Sequence, residues 1–184
     1  MEKNIYWYWE NLLNQDQIKE INLICKKYYD PVYKDNPAEK ATKTADVKGI
    51  RWELLKPVMH HVDNVWRENN KFKFGFDIFQ TLDSDMWNFN IYDYRNKGEY
   101  DFHIDATNNY ISDIKLTGIV NISDEPYEGG EFIAFLGTKF IELPEIKKPG
   151  SSILLQHNIV HKVNPVIKGI RKTLSYWLYG PRFI

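Results

Sequence analysis

The chain has 184 residues, 43% of them hydrophobic and 15% aromatic, enough to bury roughly two-thirds of its extended surface around one core, so a single domain over 1–184 is expected. Twenty-four Lys and Arg against 25 Asp and Glu leave a formal charge of −1, which removes the basic surface that drives nucleic-acid binding and disfavours that partner. No apolar run approaches the roughly 20 residues of a membrane span, no secretory leader is visible, and the one cysteine, Cys25, excludes an internal disulfide or a multi-cysteine zinc site; a cytoplasmic protein without a membrane partner is expected.

Asn14 and Gln17 have capping-box spacing, and Ile18, Ile21, Ile24, Cys25 and Tyr28 recur at helical intervals, which predicts a first helix over about 15–29. From Asp30 to Gly49 the chain is polar, aperiodic and carries two prolines; a mobile lid and a solvated surface loop are the competing readings. A second helix is expected after Pro57, where Val58, Met59, Val62, Val65 and Trp66 repeat at three and four before Asn69-Asn70. Its His60-His61 pair, set among charged neighbours, reads as surface. Beyond Lys71 the period becomes two: Phe72, Phe74, Phe76 and Ile78 alternate with Lys73, Gly75 and Asp77, and Trp87, Phe89 and Ile91 with Asn88, Asn90 and Tyr92. Further strands are expected at about 100–105, 115–122, 131–136, 139–143, 151–155, 159–163 and 172–179. Helical support over about 1–70 followed by a β core over about 71–184 predicts a mainly β sandwich or barrel with helices on one outer face.

Strand alternation across Tyr100-Asp101-Phe102-His103-Ile104-Asp105 places Asp101, His103 and Asp105 on one face, opposite Tyr100, Phe102 and Ile104. His-X-Asp alone is a weak signal and needs a third ligand. His161 lies in a β-like run, Ile159 to Val163, whereas His157 sits in the turn Gln156-His157-Asn158, so His161 is preferred. A His157/His161 zinc pair on a helix is disfavoured, because the segment is β-branched and lacks the accompanying glutamate. Two imidazoles and one carboxylate make the facial triad of non-haem Fe(II) oxygenases, with three adjacent positions open for a bidentate 2-oxo acid and dioxygen.

Ten residues after His161 comes Arg171, which shares a strand face with Thr173, Ser175 and Trp177. Its planar fork suits the far carboxylate of 2-oxoglutarate, with Thr173 beside it; Lys115 and Lys172 are the next candidates for that anchor. Asn90, Tyr92 and Tyr94, opposite Trp87, Phe89 and Ile91, are candidate hydrogen-bonding partners of the cosubstrate. Two other classes compete: a jelly-roll module that binds metal or sugar without turnover, and a metal-dependent hydrolase using Asp101 as base.

The segments Tyr94 to Asp105 (YRNKGEYDFHID), Tyr127 to Phe132 (YEGGEF), Pro149 to Leu155 (PGSSILL) and His161 to Trp177 (HKVNPVIKGIRKTLSYW) resemble the 2-oxoglutarate/Fe(II)-dependent dioxygenases of the prolyl-4-hydroxylase-like group, including small phage-encoded and bacterial members. The resemblance covers roughly residues 87–181. It implies a double-stranded β-helix (jelly roll, cupin-like) flanked by helices, iron held by His103, Asp105 and His161, and the C5 carboxylate of 2-oxoglutarate on Arg171. Arg171 stands where animal collagen prolyl hydroxylases carry Lys, as in bacterial relatives, and the Tyr94–Gly98 spacing is one residue longer than in many members, which leaves open whether Tyr92 or Tyr94 reaches the cosubstrate. The implied cofactors are Fe(II), 2-oxoglutarate and O2, with ascorbate a candidate addition. The implied activity is hydroxylation of an unactivated C–H bond with release of succinate and CO2. A peptidyl proline against Trp177 is the favoured target; another peptidyl residue or a free amino acid is the alternative. The demethylases of nucleic acids are disfavoured, because their pattern has a second Arg where Trp177 stands.

Overall fold

The computed structural model describes residues 4–30, 42–105 and 112–183. In chain order the elements are β1 (Tyr6–Trp9), α1 (Gln15–Lys27), β2 (Asp46–Arg51), α2 (Trp52–Lys73), β3 (Met86–Asp93), β4 (Tyr100–His103), β5 (Ser112–Asn121), β6 (Glu128–Gly129), β7 (Phe132–Leu136), β8 (Lys139–Glu142), β9 (Ser152–Gln156), β10 (His161–Val163), β11 (Val166–Lys168) and β12 (Ile170–Pro181). A six-stranded sheet runs β1-β9-β5-β12-β3-β2, a four-stranded sheet runs β4-β10-β7-β8, and β11 pairs with β6. Two antiparallel sheets face each other across one core, and α1 and α2 cover the outer face of the larger sheet. This is the jelly-roll, double-stranded β-helix architecture.

The two cores have different compositions because strand parity sends alternate residues to opposite faces. Toward the helices, Trp87 stacks on Trp52 at 5.1 Å, on Trp66 at 5.4 Å and on Tyr176 at 4.9 Å between ring centroids. The Trp66 indole donates to Ser152 Oγ at 2.9 Å, and its ring lies so close to Gly118 that a Cβ there would stand 2.3 Å from it. Between the sheets the core is aliphatic with few aromatics, built on Ile119, Phe132, Ala134, Ile153, Leu155 and Val163.

Helix α1 starts where the capping box places it. Asn14 Oδ1 accepts from Gln17 N and Gln17 Oε1 accepts from Asn14 N, both at 2.9 Å, so two of the helix's first backbone donors are satisfied from within the sequence motif. Helix α2 departs from the sequence expectation: it begins at Trp52, with Pro57 inside it, and continues to Lys73. Its first backbone donors are satisfied from a distance, Trp52 N by Asp85 O at 2.8 Å and Glu53 N by Asp83 O at 3.0 Å, which lets the helix start ahead of the proline. The expected strand at Phe72–Ile78 is absent. Phe72 and Lys73 close α2, Gly75 turns the chain at φ +69°, and the alternation there belongs to a helix end joined to an irregular segment.

The division of the chain near residue 70 also fails, since β1 and β2, both from the helical half, form the two edges of the larger sheet. Of the segment 30–49, residues 31–41 lie outside the described residues, so the lid reading falls largely there. The remainder is tied down. Asp101 N donates to Thr42 O at 2.8 Å and Thr44 N to Glu99 O at 3.0 Å, and β2 pairs with β3 from Asp46 onward.

Candidate metal centre and its cavity

The smaller sheet brings His103 and His161 directly opposite each other. His161 pairs with His103 and Val163 with Tyr100, so three steps on β4 answer two on β10. That β-bulge inserts a residue and rotates β4. Tyr100 therefore shares a face with His103, its ring stacked on the imidazole at 3.5 Å, whereas strict alternation had set them apart. Asp101 is exposed and does not line the cavity, and Ile104 is exposed as well. Asp105 lies just beyond the strand end, held by its N–H to His157 O at 3.2 Å.

The ligand atoms of His103, Asp105 and His161 all lie within 4.8 Å of one another, the one such cluster among the described residues. His161 Nε2 is 3.7 Å from Asp105 Oδ2. Each imidazole donates its Nδ1 proton to a backbone carbonyl, His103 to Asp101 O at 2.7 Å and His161 to Ile159 O at 2.8 Å. A carbonyl only accepts, so the proton sits on Nδ1 and the Nε2 lone pair is left for a metal. Burial, then the neighbouring His161, push the His103 imidazole down to about 4, so it is neutral near pH 7, as a ligand must be. Thr117 Oγ1 donates to Asp105 Oδ2 at 2.6 Å, with both residues buried. The donor set fits a divalent metal of the facial-triad kind.

The cluster opens into a cavity walled by both sheets. Arg171, Thr173, Ser175 and Trp177 all line it, as period-two reading of their strand requires. Arg171 is 1% exposed and its Nη2 has no hydrogen-bond partner among the described residues; the guanidinium carbon stands 5.1 Å from the centre of the Tyr92 ring. A buried, incompletely paired guanidinium costs several kcal/mol, and an anionic ligand in the cavity removes that cost. The Gly-Gly turn makes room for it. Gly130 sits at φ +66°, and a Cβ there would come within 2.9 Å of Arg171 Cδ.

Of the two tyrosines left open by the sequence, Tyr92 is buried in the cavity wall and Tyr94 is 48% exposed in a 3₁₀ turn beyond β3. Neither fallback anchor reaches the cavity: Lys172 pairs with Asp124 on the other face of β12, and Lys115 lies over the Phe183 ring at 3.2 Å. His157 stacks on Phe183, outside the cluster. His60 is exposed as expected, while His61 is half-buried with Nε2 3.0 Å from Leu12 O. Sequence reading missed Thr117, Asn88, Tyr100 and Lys43, which all line the cavity. Thr117 and Asn88 carried a signal, since each has the parity of an inward neighbour, Ile119 and Asn90. Lys43 carried none; it arrives through an isolated bridge to Tyr100, and its ammonium lies 4.7 Å from that ring's centre.

A double-stranded β-helix with a His-X-Asp…His cluster and a buried arginine facing the same cavity has the architecture of a mononuclear metal oxygenase that takes a 2-oxo acid. Comparison with known proteins gives the family. Residues 87–179, just over half of the chain, match the model of the 2OG-Fe(II) oxygenase superfamily, and the chain belongs to it; members use Fe(II), 2-oxoglutarate and O2. A PKHD-type hydroxylase of Pseudomonas aeruginosa is 33% identical over 96 residues, which span 46% of this chain and 39% of that relative. Two solved structures share the fold over nearly the whole chain. A Pseudomonas putida prolyl-4-hydroxylase has TM-score 0.73 at 14% identity, covering 97% of this chain and 94% of its own. A viral collagen prolyl hydroxylase of Paramecium Bursaria Chlorella virus-1, in complex with 2OG, has TM-score 0.68 at 15% identity, covering 96% and 97%.

Proposed function

We propose that this chain is an Fe(II)- and 2-oxoglutarate-dependent dioxygenase that hydroxylates an unactivated C–H bond in a peptide or protein, with a peptidyl proline as the favoured target. In that reaction 2-oxoglutarate, O2 and substrate give succinate, CO2 and the alcohol, one oxygen atom entering succinate and one the product. The observation that carries the reading is the single cavity holding both a His, Asp, His donor set and a buried guanidinium whose Nη2 has no partner among the described residues.

His103 and His161 hold the metal through Nε2 while the carbonyls of Asp101 and Ile159 fix their rings. Asp105 supplies the negative ligand. Arg171 receives the distal carboxylate of the cosubstrate through charge-assisted hydrogen bonds, with Thr173 and Tyr92 flanking it. Bound iron would supply oxygen activation coupled to oxidation of the 2-oxo acid. Trp177 offers an indole wall to the substrate, and the apolar side chains of Ile119, Phe132 and Val163 keep water from the cosubstrate end. Asn88, Asn90 and Ser175 also line the cavity, which favours a polar side chain or a free amino acid as the second reading of the substrate.

The test is succinate release from 2-oxoglutarate by the Fe(II)-loaded protein, followed by NMR with and without proline-containing peptides. Peptide-stimulated succinate with hydroxyproline in the peptide is expected. No succinate from protein that retains iron overturns the oxygenase reading, and stimulation by free proline but by no peptide moves the substrate to amino acids.

A further inference from the structure

Beyond Asn88 and Trp177 the metal cavity adjoins a second one, lined by Asp85, Met86, Asn88, Tyr176, Trp177 and Tyr179. Asn88 and Trp177 belong to both cavities and form the partition between them. The new feature is Asp85. Its Oδ2 takes both neutral donors, the Tyr176 hydroxyl at 2.7 Å and Leu82 N at 2.8 Å. Its Oδ1 makes no hydrogen bond, and no Lys or Arg pairs with it, among the described residues. Two neutral donors orient a carboxylate without cancelling its charge.

An anionic ligand would meet repulsion there, and a neutral one would leave the charge uncompensated in a half-buried site. A cation answers both the open oxygen and the aromatic walls, because Trp and Tyr rings attract ammonium and guanidinium groups through their electron-rich faces. Asp85 lies three residues before Asn88, roughly 10 Å along an extended chain at ~3.3 Å per residue, so the second cavity begins about three extended residues from a wall of the metal cavity.

We propose that this second cavity is a subsite for a Lys or Arg side chain of the substrate, so that the enzyme selects peptides with a basic residue within three positions of the oxidised one. The inference rests on the dioxygenase reading above and deepens its substrate class. Asp85 positions and selects; it takes no part in the chemistry.

The test uses the full chain loaded with Mn(II) and 2-oxoglutarate, which permits binding without turnover. Fluorescein-labelled nonapeptides with a central proline carry one Lys, Arg, Gln or Glu at one, two or three positions to either side, and affinity is read by anisotropy. The best Lys or Arg peptide is expected to bind about tenfold more tightly than its Gln counterpart, the Glu peptide more weakly than either, and the preference to fade as salt rises. Asp85→Asn keeps an oxygen for Leu82 N and the Tyr176 hydroxyl while removing the charge, and should abolish the preference without changing affinity for the Gln peptide. Equal affinities in the unsubstituted protein, including no measurable binding of any peptide, overturn the subsite, as does a preference that survives Asp85→Asn. Should that variant misfold, the charge series and its salt dependence in the unsubstituted protein decide alone. Failure of the dioxygenase reading is read separately, as absence of succinate from 2-oxoglutarate with Fe(II).

Discussion

The two faces of strand β12 show how one stretch of chain serves stability and chemistry at once. Leu174, Tyr176 and Leu178 point into the helix layer, where they are buried against α2 and the tryptophan stack. Arg171, Thr173, Ser175 and Trp177 point the other way into the metal cavity. On the first face the β12 side chains are apolar or, like the Tyr176 hydroxyl, partnered, and the one buried polar atom of the stack they meet that lacks a partner among the described residues is the Trp87 indole Nε1. On the second, Arg171 Nη2 and Trp177 Nε1 are buried without partners among the described residues. The helix side gains its free energy from apolar packing that needs no ligand. The cavity side carries unsatisfied polar groups whose cost a ligand removes, so it contributes little to stability and most of the specificity.

That contrast can be broken from either side. The largest effect expected is on chemistry: Asp105→Ala should reduce succinate formation to background and lower iron retention in equilibrium dialysis, while the urea midpoint hardly moves, because the residue lines a cavity. Unfolding of the variant would make the cavity face structural after all. Trp87→Ala should do the reverse. Deleting the central ring of the stack is expected to cost about 3–5 kcal/mol in urea titration, a large part of an ordinary domain's total, with the ligand geometry intact in whatever fraction remains folded.

Arg171→Met sharpens the comparison further. The KM for 2-oxoglutarate should rise roughly tenfold to a hundredfold, as loss of charged hydrogen bonds worth about 1.5–3 kcal/mol implies, while iron affinity holds and the melting temperature of the metal-free protein stays level or rises. A fall in that temperature would mean the guanidinium is already satisfied without ligand. Gly118→Ala should cost about 1–3 kcal/mol by overpacking against the Trp66 ring, read in the same urea titration with no change in KM. The smallest expected effect concerns Cys25. Burial pushes its thiol up to about 12, so iodoacetamide at pH 8 should leave it unmodified in native protein and label it fully in urea.

Much of this was legible in the sequence. The period-two pattern assigned the faces of β3 and β12, and with them the cavity positions of Asn90, Tyr92, Arg171, Thr173 and Trp177. The capping box located the start of α1. These are local signals, fixed by strand parity and by hydrogen bonds between residues three apart. What the tertiary structure decided involves partners remote in sequence. The bulge between β4 and β10 turned Tyr100 onto the face of His103, and no residue within β4 encodes a register set by its neighbour. The start of α2 ahead of Pro57 depends on carbonyls from Asp83 and Asp85, and the second cavity depends on β3 and β12 meeting at Asn88 and Trp177. Parity is a property of the chain itself, whereas register, capping from afar and cavities are properties of pairs of segments, and a pair is specified only when both are packed.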